Sequence, residues 1–358
     1  MRLVAHRRQR IVALVPAHNE QDTIAGTVDS LRNQSRPPDK IIVLCDNCVD
    51  ATQAVAEAHG ADTYVTVDNK EMKAGALNQA LLGFVLPVLE EDDLVACVDA
   101  DSIIEPNFIA EAIRRFKEHP RLGGASGTYR GRRGHGYVGW CQRNEYARWG
   151  FDNHKEHGHT VILSGAASVF RVAALKKIVA AREAGQLGGQ GVYDSNTLTE
   201  DFELSLALVT VGHTIVNMLN VGIETAVKPT WRTLFVQRRR WDRGINESLF
   251  DYGVTPATRI IWLKRVTYAL FVPISFLVFF VIAWRITVGA GFTYNSFWIL
   301  ITFIMMFQRG YTVVRIRGWW NGLLAGLLIF ELPYDTFLQC CFLRALWDQA
   351  TSHSKIWR

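Results

Sequence analysis

Before Val266 this 358-residue chain has no apolar run of the length, about 20 residues, that a bilayer-crossing helix needs. Arg7, Arg8 and Arg10 are followed only by the short apolar run Ile11 to Pro16, so no secretory signal is expected. Cysteine is scarce. The six present form no disulfide framework, and Cys45-x-x-Cys48 has no second pair at zinc-like spacing, which favours reduced cytosolic thiols over a redox or zinc centre. No G-x-G-x-x-G follows the first apolar strand, which argues against a soluble dinucleotide enzyme. Internal repeats and low-complexity tracts are absent as well.

Charge and apolar character are unevenly spread. From residue 251 onward ten Lys or Arg stand against four Asp or Glu, whereas the preceding part is close to neutral. Basic excess beside apolar segments points to anionic headgroups of a lipid bilayer and away from nucleic acid. Three transmembrane helices are expected, at about 266–284, 288–308 and 318–343. Glu331, Pro333 and Asp335 interrupt the third, for which an interfacial or re-entrant helix is the alternative. Arg344 is the expected partner of those two acids. Arg259, Lys264 and Arg265 precede the first span and Arg309, Arg315 and Arg317 follow the second, while the loop between offers only Arg285. The positive-inside tendency then sets a multi-pass protein of the cell membrane with its N-terminal domain in the cytoplasm.

In the N-terminal part, strands at 11–15, 41–45, 64–67 and 94–98 alternate with helices at about 20–33, 50–59 and 75–86. That alternation implies a doubly wound α/β sheet whose ligands sit beyond the carboxyl ends of the strands. Pro16 to Glu20, Asp46 and the Asp99/Asp101 pair all fall there. Glycines between 123 and 139 suggest a flexible, loop-rich stretch, and 185–191 a mobile loop. From Trp231 to Phe250 apolar residues keep near-helical spacing, an amphipathic helix for the membrane surface. The expected organisation is a cytosolic domain over 1–229, interfacial helices over 230–265 and a membrane region over 266–358.

Four motifs arrive in order along this frame. Lys73 heads Lys-Ala-Gly-Ala-Leu-Asn beside helical amides, a setting suited to a phosphate. Asp99-Ala-Asp101 ends an apolar strand, where two carboxylates one residue apart can share a hard divalent cation with diphosphate oxygens. In Thr199-Glu200-Asp201 the second acid opens a helix, as a cap or as a general base. In Gln237-x-x-Arg240-Trp241, two donors on neighbouring helix faces can clamp a diphosphate, and the indole can stack on a sugar or simply pack. His154, His157 and His159 have metal-compatible spacing in polar sequence, where metal binding is the lesser reading.

In this order, and with Q-x-x-R-W at the end, the residues resemble the family 2 glycosyltransferases with a GT-A domain, above all the cellulose, hyaluronan and poly-N-acetylglucosamine synthase group. The resemblance covers roughly residues 9 to 250. It implies a GT-A doubly wound mixed sheet and inversion at the anomeric carbon by in-line attack on a UDP-sugar. It places Ala17, Glu20 and Asp46 at uridine, and Lys73 and Asp99 at the nucleotide diphosphate. Asp101, with Asp99, would hold Mg2+ or Mn2+. Asp201, with Glu200 beside it, would supply the base. Gln237 and Arg240 would grip the diphosphate; Trp241, Ser164 and Gly165 would face the acceptor. The second motif, Asp46-Asn-Cys-Val-Asp50, departs from the Asp and Ser that related enzymes commonly carry, which leaves nucleotide preference open. Those enzymes also have more membrane helices, so a shorter product, a membrane partner or a homo-oligomer is expected. The function so implied is extension of a glycan with a glucose- or N-acetylglucosamine-type sugar. Single addition to a lipid carrier or another acceptor is the nearest alternative, and a non-catalytic sugar-nucleotide-binding subunit is the alternative of another class.

Overall fold

The computed structural model describes residues 7–155, 160–290 and 296–351, with the backbone alone given for 153–155 and 298. The chain divides into two units, Met1–His135 with Asp152–Lys228, and Gly136–Phe151 with Pro229–Arg358. His157 and His159 lie outside the described residues, as does the side chain of His154.

The first unit is built on one eight-stranded sheet. Its strands are β1 (Ile11–Ala17), β2 (Lys40–Cys45), β3 (Asp62–Val65), β4 (Leu94–Val98), β5 (Ile103–Ile104), β6 (Leu122–Gly131), β7 (Ala167–Arg171) and β8 (Thr214–Thr225), in the order β3-β2-β1-β4-β7-β6-β8-β5. β1 pairs in parallel with β2 and β4, and β2 with β3, while β7 runs antiparallel to both β4 and β6. The sheet is therefore mixed. Helices α1 (Ile24–Arg32), α2 (Thr52–Ala58), α3 (Met72–Ala80, continued by a π-helical turn over Leu81–Val85) and α4 (Phe108–Glu118) join the strands.

Both sheet faces are covered, which is why the strands read as continuous apolar runs instead of alternating ones. Ile11, Ala13 and Val15 of β1 pack with Ile24, Val28 and Leu31 of α1 and with Phe108 and Ala112 of α4. On the other face Leu14 joins Leu77 of α3 and residues of α6 (Val172–Glu183) and α7 (Glu200–Thr210), among them Leu175 and Leu204.

The glycine-rich stretch expected to be loop contains a ten-residue strand, β6, whose first six residues are buried. Close packing explains its composition. A Cβ at Gly124 would stand 2.5 Å from Leu163 Cδ1, and one at Gly127 would stand 3.0 Å from both Phe108 Cε2 and Ile223 Cγ1. The chain then enters α5 (Gly136–Lys155), which belongs to the second unit as far as Phe151.

The second unit also holds α8 (Trp231–Tyr252), α9 (Arg259–Thr287), α10 (Ser296–Arg317), α11 (Trp319–Gly326) and α12 (Leu332–Ala350). α8 opens on a capping box made by Thr230 and Thr233. Two helices are long and apolar enough to cross a membrane, Arg259–Thr287 and Ile299–Arg317. The third expected span is not one helix. Leu328 adopts φ +55° between α11 and α12, and each part is too short or too polar to cross alone. α11 lies against α10 through glycines: a Cβ at Gly310 would meet Gly322 O at 3.0 Å, and one at Gly326 would meet Met306 O at 3.1 Å.

Glu331 is fully buried in this unit, and its partners differ from expectation. Arg148 reaches it at 2.7 Å, Arg309 at 2.6 Å and Asn144 donates at 2.6 Å, while Asp335 also pairs with Arg309. Arg344 instead pairs with Asp348, one helical turn away. A buried carboxylate needs cations aimed at it from several directions, and a residue 13 positions along the chain from Glu331 is not held to its side.

Candidate active site

The carboxyl ends of β1, β2 and β4 carry the residues expected at the nucleotide. Ala17 is buried at the end of β1, and its carbonyl accepts from Asp46 N at 2.8 Å, stitching the two strand ends together. The Asp46 carboxylate is buried and organised: Thr66 Oγ1 and Asn69 Nδ2 donate to Oδ1 at 2.8 Å each, and Asn47 Nδ2 at 3.1 Å. Asn47 has φ +49°, a conformation that Asn tolerates better than most residues, and it also donates to Asn69 O. That gives a local reason for Asn in the second motif. Glu20 lies in the turn before α1, where its carboxylate accepts from Thr23 Oγ1 at 2.7 Å. Asp50, the other acid of that motif, accepts from Thr52 N at 3.0 Å, where α2 begins.

Asn69 carries this order onward to the lysine. Its amide donates to Met72 O and its carbonyl oxygen accepts from Glu71 N, bracing the start of α3. A side chain at Gly75 would collide with Asn69, so the glycine there is a condition of the brace. Lys73, the second residue of α3, is thereby aimed at three acceptors. Its Nζ lies 2.6 Å from Asp99 Oδ1, 3.0 Å from Gly165 O and 3.4 Å from Glu200 Oε1.

The Ser164–Ser168 turn joins the remaining parts. Ala166 O accepts from Asp99 N at 2.8 Å, Gly165 O accepts from Lys73, and Ser164 Oγ accepts from Ala166 N at 3.2 Å. Ser164 itself is buried, and its hydroxyl shapes the turn. A Cβ on Gly165 would stand 2.5 Å from Asp201 Oδ2, so the absence of a side chain is what admits the Asp201 carboxylate. Asp201 sits in the first turn of α7, where Oδ1 accepts from Phe202 N. Asp101 accepts from Ser102 Oγ at 3.3 Å, and Arg132 holds its carbonyl at 3.0 Å.

Electrostatics within the cluster are lopsided. Burial raises the proton affinity of Asp99 above the usual carboxylate range; Lys73 opposes this, and Asp101 and Glu200 add to it. Burial alone would lower Lys73, but Asp99 and Glu200, with Asp201 behind them, more than offset this and hold it above an ordinary lysine. Negative charge on hard oxygen donors in excess of one ammonium fits a hard divalent cation at Asp99 and Asp101. Among the described residues, no group of three or more His, Cys, Asp or Glu is placed to hold an ion unaided.

Asn78 closes the Lys73 motif, whereas Arg182 belongs to none. Asn78 Oδ1 accepts from Val192 N and Tyr193 N at 3.0 Å each, and its amide donates to Tyr193 O. Arg182 makes a buried double contact with Glu203 at 2.6 and 2.7 Å and also holds Gln190 O. The segment expected to be a mobile loop is therefore held at Gln190, near its end. Tyr193 and Cys97 are buried together; burial pushes the Cys97 thiol up to about 11.

In the second unit α8 displays the Q-x-x-R-W residues. Gln237 Oε1 is buried without a hydrogen-bond partner among the described residues, and Arg240 is half-buried. Between them Arg238, which no motif reading singled out, is almost fully buried. It pairs with Glu145 of α5 at 2.7 Å, and its guanidinium lies 4.4 Å from the Trp241 ring centroid and 5.6 Å from that of Trp149. Tyr334 donates to Glu145 at 2.5 Å. Trp241 thus packs into an aromatic and cationic stack inside its own unit.

Comparison with known proteins gives this arrangement relatives. A family model described as "Glycosyltransferase like family 2" matches residues 8–244. The chain is 26% identical over 253 residues to the poly-β-1,6-N-acetyl-D-glucosamine synthase of Staphylococcus epidermidis, covering 69% of this chain and 57% of the relative. With the synthase of the same name from Staphylococcus aureus MSSA476 the identity is 28% over 256 residues, covering 70% and 58%. The chain thus matches less than two thirds of the length of these relatives. Among solved structures, the mannosyltransferase PcManGT from Pyrobaculum calidifontis, in complex with GDP-Man and Mn2+, superposes with a TM-score of 0.62 at 16% identity, covering 98% of this chain and 89% of that one. At that identity the likeness is one of fold.

Proposed function

Since the chain belongs to the glycosyltransferase-like family 2, we propose that it is a membrane-bound, metal-dependent, inverting glycosyltransferase that extends a glycan with a glucose- or N-acetylglucosamine-type sugar from a UDP-sugar. One observation carries the reading: Lys73, Asp99, Gly165, Glu200 and Asp201, from four separate stretches of sequence, are drawn into one cluster beside Asp101. Such convergence of opposite charges has a desolvation cost that a purely structural turn does not need.

Asp46, with Ala17 and Glu20, is assigned to the nucleoside. Its carboxylate, already held by Thr66 and Asn69, is a fixed acceptor for donors of a base or ribose. Lys73 and Asp99 face the diphosphate, and Asp101 with Asp99 would hold Mg2+ or Mn2+. The ion, when bound, neutralises charge on the leaving diphosphate. Asp201 takes the proton of the acceptor hydroxyl as that oxygen attacks the anomeric carbon. Gly165 keeps side-chain atoms away from Asp201 Oδ2, and Ser164 fixes the Gly165 turn that faces the acceptor. Gln237 and Arg240 are assigned to the diphosphate and Trp241 to the acceptor sugar on the resemblance of their motif. The organisation proposed is a cytoplasmic domain over 1–229, interfacial helices over 230–265 and a membrane region beyond.

Purified protein in nanodiscs with Mn2+ and a panel of radiolabelled UDP-sugars tests this, with lipid and oligosaccharide acceptors added in turn. A ladder or polymer from one sugar is the expected product. A single-sugar adduct would instead indicate one-step transfer to a carrier. UDP binding without product under every condition would favour a non-catalytic subunit.

A further inference from the structure

Lys73 occupies the place beside Asp99 that a second cation would contest. Its ammonium lies 2.6 Å from Asp99 Oδ1, in full hydrogen-bonded contact, and 3.4 Å from Glu200 Oε1, in a looser one. Gly165 O, at 3.0 Å, accepts from it between the two. A divalent ion on Asp99 and Asp101 would draw on the same carboxylate and set positive charge next to this ammonium. The lysine stem is long and flexible, and a charge-assisted contact settles at about 2.8 Å. A shift of about 0.6 Å toward Glu200 would therefore bring it into full contact with that carboxylate and loosen its hold on Asp99. The Glu200 side chain is only 13% exposed, so its charge is poorly hydrated and gains from a cation held close to it.

We propose that Lys73 is a resident counter-cation that screens Asp99 while the site is empty of metal, and that Glu200 is the carboxylate that receives it when a divalent ion loads. This rests on the assignment of the metal to Asp99 and Asp101. Glu200 then acts on metal affinity through Lys73, as a positioning residue, and neither as a ligand nor as an acid or base.

The test is Mn2+ binding to the full chain in detergent micelles without nucleotide, read from the electron paramagnetic resonance signal of free Mn2+. Five proteins are compared: wild type, Lys73→Met, Glu200→Gln, the double variant of these two, and the Asp99→Asn, Asp101→Asn protein, with Lys73→Gln replacing Lys73→Met should the latter unfold. Removing Lys73 is expected to tighten binding about tenfold. Glu200→Gln is expected to weaken it roughly five- to tenfold while Lys73 is present, because the lysine then keeps its ion pair with Asp99. In the Lys73→Met background the same change should weaken binding less than about twofold. Equal effects in both backgrounds would make Glu200 a plain through-space charge and overturn the proposal. A larger effect without Lys73 would make Glu200 a ligand and overturn it as well. If wild type binds Mn2+ no better than the Asp99→Asn, Asp101→Asn protein, the metal assignment itself falls and takes the proposal with it.

Discussion

The duties proposed for Asp201 and Asp101 differ, and one substitution at each separates them. Asp201→Asn keeps size and shape but removes the proton acceptor. UDP binding by calorimetry should stay nearly unchanged while transfer of labelled sugar falls by about 10²- to 10⁴-fold; normal turnover would remove Asp201 from the chemistry. Asp101→Ala should lower UDP affinity in Mn2+ by at least about tenfold and leave metal-free binding alone. Affinity equal to wild type in Mn2+ would place the ion elsewhere. Thiols give a third check. Burial raises Cys45 to about 12 and Cys97 to about 11, so both are protonated at pH 8, where an exposed thiol is already partly thiolate. Alkylation of the folded protein at pH 8 should spare these two until denaturant is added; rapid modification of Cys45 would reopen a redox role for the C-x-x-C. At this scale the charged residues were legible, because carboxylates at strand ends announce themselves. Asn69 and Arg182 were not, because bracing leaves no pattern in composition; Gly165 was named for the acceptor, but that it makes room for Asp201 was not readable.

The helices of the second unit show where periodicity informs and where it stops. Apolar spacing located α8 within two residues of its observed end, Tyr252. It could not reveal that Arg238, in the middle of a basic run, turns inward to Glu145 while its neighbours stay half-buried. Likewise β6 was hidden because its glycines follow from close packing, whereas β1, β2 and β4, covered on both faces, were plain apolar runs. The inward arginine has a measurable consequence. Glu145→Gln leaves a buried guanidinium without its countercharge and should cost about 3–5 kcal/mol, seen as a lower thermal midpoint in detergent. Tyr334→Phe removes one hydroxyl donor and should cost about 1 kcal/mol. Similar midpoints for the two variants would mean that Arg238 finds another partner. Trp241→Ala takes away the ring beneath that guanidinium. If the indole also supports acceptor sugar, acceptor use should fall more than UDP binding; equal losses would confine it to packing.

Seen as a whole, the molecule places its uncharged stretches and its basic clusters so that orientation can be tested directly. α9 runs 29 residues, about 43 Å at 1.5 Å per residue, which exceeds a hydrocarbon core of about 30 Å. Its surplus is at the start, where Arg259, Lys264 and Arg265 would stand in the headgroups, and no charge follows until Arg285. Outward along it Leu270, Phe271, Leu277 and Phe280 are exposed, as are Phe303 and Phe307 of α10, more apolar surface than water tolerates. If α9 crosses with its basic start in the cytoplasm, Val254 just before it and Val288 just after it lie on opposite sides; both are well exposed. Val254→Cys and Val288→Cys, each made with Cys340→Ser, can then be offered a membrane-impermeant maleimide on intact cells. Val288→Cys should label at once and Val254→Cys only after lysis. The reverse order would invert the topology and put the Asp99 cluster on the side without cytosolic UDP-sugar. Labelling of both only after lysis would mean that α9 does not cross at all, and the exposed apolar surface would need a protein partner in place of lipid.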